Sequence, residues 1–262
     1  MIELVDIGVN LTHSRFAKDR DAVVTRAAAV GVTHMVLTGT NIAESQAAAT
    51  YAAHNPQMFR STAGVHPHHA SEWGEPALAQ LREIAALPVV GAIGETGLDY
   101  NRDFSPRPAQ RSAFAAQLEL AVELGYSVFL HQRDAEDDFL AILNDYRAQL
   151  PKAVLHCFTG NRAFLERCLE MDLSIGVTGW LCDDRRGQAL RECVSAIPLA
   201  QLMIETDAPF LIPKDYPKKS KTGRNEPAYL PHILQHVSAL RDESLEMIAR
   251  VTHANSIEFF RF

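Results

Sequence analysis

The sequence predicts an α/β fold, a (β/α)8 TIM barrel forming a single domain over residues 1–262, on three observations. Short runs rich in Val and Ile recur, each followed by a polar or glycine-bearing turn and then a stretch of helical period, the rhythm of parallel strands joined by crossover helices. Eight such units fit in 262 residues, about 33 residues each, close to the ~250 usual for a barrel. No composition shift, linker or low-complexity tract marks a domain boundary. An open doubly wound sheet is the competing topology.

Strands are expected near Leu4 to Val9, His34 to Leu37, Arg60 to Ala63, Val89 to Ile93, Ser127 to Leu130, Ala153 to His156, Leu173 to Val177 and Leu202 to Glu205. Between them, Asn41 is placed to cap a helix from Ile42 to His54, with Glu44 completing a capping box. Ser105 and Pro106 make an N-cap and first-turn pair for a long helix through Leu124, whose Phe114, Leu118, Ala121 and Val122 keep a buried stripe. Asn161 opens a helix ending near Met171, and Gly187 leads into one ending at Ile197. After the eighth strand a Pro- and Lys-rich loop, Pro209 to Pro227, precedes helices around Pro231 to Leu240 and Ser244 to Phe260.

Composition narrows the class. With 47% hydrophobic residues the chain has an ample core, which excludes a disordered protein. A formal charge of −7 argues against coating nucleic acid with basic surface, though not against a nucleic-acid substrate. Cys157, Cys168, Cys182 and Cys193 form no C-x-x-C pair and read as free thiols in a reducing cytosol. The start, MIELVDIGVN, has no signal-peptide pattern, and no apolar run reaches about 20 residues. A soluble, cytoplasmic chain without membrane contact is expected.

Ligand-type residues fall at the ends of those strands. His66 follows the third strand, Glu95 the fourth, His131 ends the fifth, His156 ends the sixth and Asp207 follows the eighth. In a barrel these strand ends ring one mouth, where barrel enzymes keep their active sites. Imidazoles and carboxylates converging from separate strands suit a divalent metal with coordination left open for water and substrate. Singly each has a bland reading: a hydrogen-bonded core histidine, a cap at Glu95, a turn former at Asp207. Five at the same end of five strands favour the metal site. On the first strand Asp6, Gly8 and Asn10 occupy alternate positions and so project from one face, with Asp6 and Asn10 reaching the barrel axis or ending the strand in an ordinary polar turn.

The segment Lys214 to Glu226 carries Lys214, Lys218, Lys219, Lys221 and Arg224 against Asp215 and Glu226, a net +3. Beside the mouth it would hold phosphates of an anionic substrate; otherwise it is a solvated loop. Arg224 and Asn225 offer forked donors suited to phosphate, and Arg133 is a further donor near the same mouth, with Arg185 and Arg186 after strand seven.

These residues occur in recognisable order: Asp6-Ile7-Gly8-Val9-Asn10-Leu11, Gly64-Val65-His66-Pro67-His68, Ile93-Gly94-Glu95 with Gly97-Leu98-Asp99, His131-Gln132-Arg133-Asp134, His156-Cys157-Phe158-Thr159-Gly160, Glu205-Thr206-Asp207-Ala208-Pro209 and Arg224-Asn225-Glu226-Pro227. Over essentially its whole length the chain resembles the TatD-type metal-dependent deoxyribonucleases. The resemblance implies a TIM-barrel hydrolase that removes nucleotides from the 3′ end of single-stranded DNA, and of RNA, with Mg²⁺ favoured and Mn²⁺ or Zn²⁺ also suited to the donors. It further implies Glu95, His131 and His156 as metal ligands, with His66 and Asp207 completing the catalytic set; Asp207 would take a water's proton or ligate a second ion arriving with the substrate. A monomer acting in DNA repair or nucleic-acid degradation is expected. Most of the wider family carries Asp-x-His-x-His on strand one; Gly8 and Asn10 stand in place of both histidines, which puts a fixed binuclear centre in doubt. Competing functions are a metal-dependent hydrolase of small or aminoacyl esters, and a noncatalytic binding or quality-control protein.

Overall fold

The computed structural model describes residues 2–217 and 222–262, so Lys218, Lys219 and Lys221 of the basic loop lie outside it. Eight strands form one parallel sheet in sequence order: β1 Leu4–Val9, β2 Val32–Leu37, β3 Phe59–Ala63, β4 Val90–Asp99, β5 Ser127–Arg133, β6 Ala153–Leu155, β7 Ser174–Val177 and β8 Leu202–Ile204. The ends of the sheet meet: Val9 bridges Ala208, Asn10 donates its backbone N–H to Ala208 O at 2.7 Å, and Asp207 donates to Gly8 O at 2.9 Å. Sequential order and that seam make a barrel and set aside the open doubly wound alternative.

Helices α1 Arg20–Ala29, α2 Ile42–Ala52, α3 Glu75–Ala85, α4 Arg107–Leu124, α5 Glu136–Arg147, α6 Arg162–Glu170, α7 Gln188–Val194, α8 Leu230–Ala239 and α9 Leu245–Phe260 accompany the sheet. Their starts follow local chemistry. Asn41 caps α2 by accepting from Glu44 N at 2.9 Å, while the Glu44 carboxylate accepts from Thr12 Oγ1 at 2.9 Å, leaving the expected capping box half made. Pro106, not Ser105, is the N-cap of α4. The Ser105 hydroxyl instead accepts from Ser71 N at 3.1 Å and donates to His68 O at 3.0 Å, tying the turn after β3 to the loop after β4. Asn161 and Ser244 cap α6 and α9 through Phe164 N and Met247 N.

The core has two parts. The larger lies between sheet and helices. The smaller fills the barrel: Val5, Ile7, Val36, Ala92, Phe129, Val154 and Met203 from the strands meet Phe259 and Phe260 at the end of α9, which close the floor. Above that floor the interior turns polar.

Candidate active site

Glu95 is placed by β4, which runs on through Asp99 because Gly97, Leu98 and Asp99 pair with His131, Gln132 and Arg133 of β5. With β3 paired to β4 up to Ile93 and β6 to β5 up to Leu130, the third, fourth, fifth and sixth strand ends lie side by side. One oxygen of the buried Glu95, Oε1, faces His156 Nε2 at 2.7 Å, His131 Nδ1 at 2.9 Å and His66 Nε2 at 3.3 Å. The far nitrogens of two of these rings have their own carboxylates: His156 Nδ1 lies 3.3 Å from Glu205 Oε2, and His131 Nε2 lies 3.6 Å from Asp99 Oδ2. Asp99 Oδ2 also pairs with His68 Nε2 at 2.7 Å. His66 differs, because its Nδ1 accepts the His68 backbone N–H at 3.1 Å. The neutral ring must then carry its proton on Nε2, toward Glu95 and the cavity.

Burial alone would raise the Glu95 carboxyl, but the imidazoles of His156, His66 and His131 outweigh it and hold it well below the ordinary carboxylate range. Burial likewise presses the imidazoles toward neutrality. It wins at His66, whose pKa falls to about 4 despite Glu95, and loses at His156, raised by Glu95 and Glu205, and at His131, raised by Asp99 and Glu95. Asp207, reached from the closing seam, is pushed up to about 7 by burial; the residual attraction of His156 and the Asn10 Nδ2 hydrogen bond to Oδ1, at 3.1 Å, only partly offset it.

His66, Glu95, His131, His156, Asp207 and Asn10 thus line one cavity of about 700 Å³, together with His13, Arg102, Cys157 and Phe210. Asp6 is not among them. It is fully buried behind the strand ends, where its carboxylate accepts from Thr206 N at 2.8 Å and Thr206 Oγ1 at 2.5 Å, so strand alternation did not carry it to the axis. Arg224 and Asn225 are a second correction. The Arg224 guanidinium is bound by Asp19 at 2.7 and 2.8 Å and by Glu226 at 2.6 Å, and lies over the Phe16 ring. Asn225 is fully buried and donates to Thr206 O at 2.8 Å. Their forked donors hold the loop rather than face the cavity. Arg133 sits to one side, donating to Thr159 Oγ1 at 3.0 Å and lying over Trp180, and lines a separate small cavity.

Glu205 is a functional residue that sequence pattern alone does not single out. Its carboxylate, wholly buried, also accepts from Cys157 N at 2.5 Å. Gly8 and Gly176, on the strands flanking β8, make room for it: a Cβ at Gly8 would lie 2.3 Å from Glu205 Oε2, and one at Gly176 2.5 Å from Oε1. Glu205 therefore occupies the space a histidine at position 8 would need. A lone acid after Leu202-Met203-Ile204, opposite glycines on both neighbouring strands, was the available signal.

Ligand atoms of His66, Glu95 and His131 lie within 4.8 Å of one another. Imidazole and carboxylate donors so gathered fit a divalent cation.

A parallel barrel with such donors facing one another beneath a cavity at its C-terminal mouth defines a TIM-barrel hydrolase. The chain belongs to the TatD-related DNase family, whose profile matches residues 5–261. It is 54% identical to the 3′-5′ ssDNA/RNA exonuclease TatD of Erwinia billingiae, over 98% of this chain and 99% of that protein. Against the protein of the same name from Citrobacter rodentium it is also 54% identical, over 98% and 97%. Among solved structures, a TatD homologue from Escherichia coli superposes with a TM-score of 0.90 at 28% identity, covering 100% of this chain and 99% of that one. A TatD family hydrolase from Entamoeba histolytica gives 0.89 at 26%, over 98% of each.

Proposed function

We propose that the chain, acting as one domain over residues 1–262, is a divalent-metal-dependent 3′-5′ exonuclease of single-stranded DNA and RNA. The convergence of His131 and His156 on Glu95 Oε1, each ring backed by a carboxylate, carries this reading. Those three residues would hold the ion, Mg²⁺ first, with Mn²⁺ or Zn²⁺ accepted by the same donors. Bound there it would supply Lewis-acid stabilisation of the phosphate and acidify a water.

The protein's own groups do the rest. Asp207, with a pKa near 7, is matched to accept the attacking water's proton at neutral pH, and Asn10 fixes one of its oxygens so that the other faces the cavity. His66 directs Nε2–H into the site, where it donates to the leaving 3′ oxygen; with a pKa of about 4 it acts as a neutral donor, not as a charged acid. For phosphates we assign Arg102 in the cavity, and Arg15 and Lys214 around an adjoining one of about 290 Å³. Phe210 lines both cavities and is 44% exposed, and Phe104, 67% exposed, packs against His68. Exposed aromatic rings beside a phosphate track suit unpaired bases, since stacking needs a base free of its duplex.

Replacing Glu95 or His131 by Ala should abolish metal-dependent release of mononucleotides from 3′-labelled single-stranded DNA. Release near wild-type rates from the folded variants, or hydrolysis of a nitrophenyl ester with no action on any oligonucleotide, would overturn the reading.

A further inference from the structure

A second group of metal-type donors lies away from the catalytic mouth. Cys182 ends the turn after β7 (Gly179–Cys182), Asp215 belongs to the loop after β8, and His232 and His236 stand one helical turn apart on α8. Their ligand atoms all lie within 4.8 Å of one another. The two imidazoles present the same nitrogen to the same carboxylate, His232 Nε2 at 2.9 Å from Asp215 Oδ1 and His236 Nε2 at 2.7 Å from Oδ2. The Cys182 thiol, only 4% exposed, abuts that carboxylate as well.

We propose that Cys182, Asp215, His232 and His236 form a structural Zn²⁺ site that fastens the loop after β8 to α8 and to the turn after β7. One sulfur, two imidazole nitrogens and one carboxylate oxygen are a complete tetrahedral donor set for this ion. Bond lengths of about 2.0–2.3 Å put tetrahedral donors roughly 3.3–3.8 Å apart, so side-chain adjustment of about 1 Å closes the set. Charge balances: binding displaces the thiol proton to solvent, and thiolate plus carboxylate neutralise the dication. The set is built from three segments, and a site that joins segments distant in sequence adds its binding energy to folding. Access remains, because the Asp215 and His236 side chains are 43% and 33% exposed. The thiol discriminates between the two centres. Sulfur selects Zn²⁺ over Mg²⁺, whereas the catalytic donors proposed above are nitrogen and oxygen only.

The test uses full-length protein stripped by chelator, carrying Glu95→Ala and His131→Ala to remove the catalytic centre, and titrated with Co²⁺ as a spectroscopic substitute for Zn²⁺. One equivalent should bind with thiolate-to-cobalt charge-transfer absorption. Adding Cys182→Ser should abolish the band, and His236→Gln should weaken Co²⁺ binding by at least about tenfold, the lower bound seen for disturbed metal surroundings. Wild-type protein loaded with two equivalents of Zn²⁺ gives an independent reading by X-ray absorption. A sulfur neighbour at about 2.3 Å, lost in Cys182→Ser, is expected. No charge-transfer band and no sulfur neighbour, or both persisting in folded Cys182→Ser, would overturn the site and leave a hydrogen-bonded cluster.

Discussion

The proton on each active-site ring is assigned by what stands behind it. Glu205 accepts from His156 Nδ1 and so keeps a proton there when a cation displaces the one that Nε2 shares with Glu95, leaving the Nε2 lone pair for the ion. Replacing Glu205 by Gln keeps the shape and removes the charge, so we expect metal affinity, read by calorimetry, to fall by about 10–100-fold while circular dichroism is unchanged. Gly8→Ala should act on the same residue by steric means, since its new Cβ competes with Glu205 Oε2 for space. Asp207 has a signature of its own. Burial raises its pKa to about 7, so the metal-free native state holds a proton between about pH 4 and 7 that the unfolded chain has released. The stabilisation is full below the unfolded value and is lost as pH rises through about 7. Against Asp207→Asn, metal-free wild-type protein should therefore lose on the order of a few kcal/mol between pH 4 and 8 in urea unfolding. Comparing the two proteins isolates Asp207 from Glu95 and Asp99, whose lowered pKa values act in the opposite sense. Parallel pH profiles would refute the assignment.

At the scale of elements, the strands were legible wherever the apolar run and the hydrogen-bonded ladder coincide. β1 spans the expected residues, and β8 falls one short of Glu205. β4 and β5 were read too short, ending at Ile93 and Leu130, because Glu95, Thr96 and Asp99 on one strand and His131 to Arg133 on the other are polar. Their pairing is a property of two strands together and leaves no mark in either alone. The donors that meet at Glu95, namely His66, His131 and His156, were legible for the complementary reason that each follows an apolar run. The anchoring loop was misread because a phosphate grip and a structural latch use the same residues. Asp19, Arg224, Glu226 and Arg26 close into a ring of ion pairs, with Arg26 bidentate on Glu226 at 2.8 and 3.0 Å, and only the partner from α1 and its N-cap tells the two apart. Arg224→Ala should lower stability by about 1–3 kcal/mol and leave KM for a short oligonucleotide near its wild-type value. Phe210→Ala should do the reverse, raising KM about tenfold at unchanged melting temperature.

For the whole molecule, the proposed phosphate contacts are compatible with a net charge of −7 because they need only local cations: Arg102 in one cavity, Arg15 and Lys214 around the adjoining one. Contact with about three phosphates of a single strand gives a log–log salt slope of about −2, so binding measured across a salt series should weaken gently, and a slope several times steeper would refute local engagement.

The floor set by Phe259 and Phe260 and the seam joining Asn10 to Ala208 have a consequence in time. Both join the first strand to segments about 200 or more residues later, contacts of long sequence separation and hence slow to form. Asn10 and Asp207 meet only across that seam. A barrel still open at that seam would hold Asn10 and Asp207 apart, so the capacity to cut nucleic acid is expected to appear late in refolding, after the strand signals.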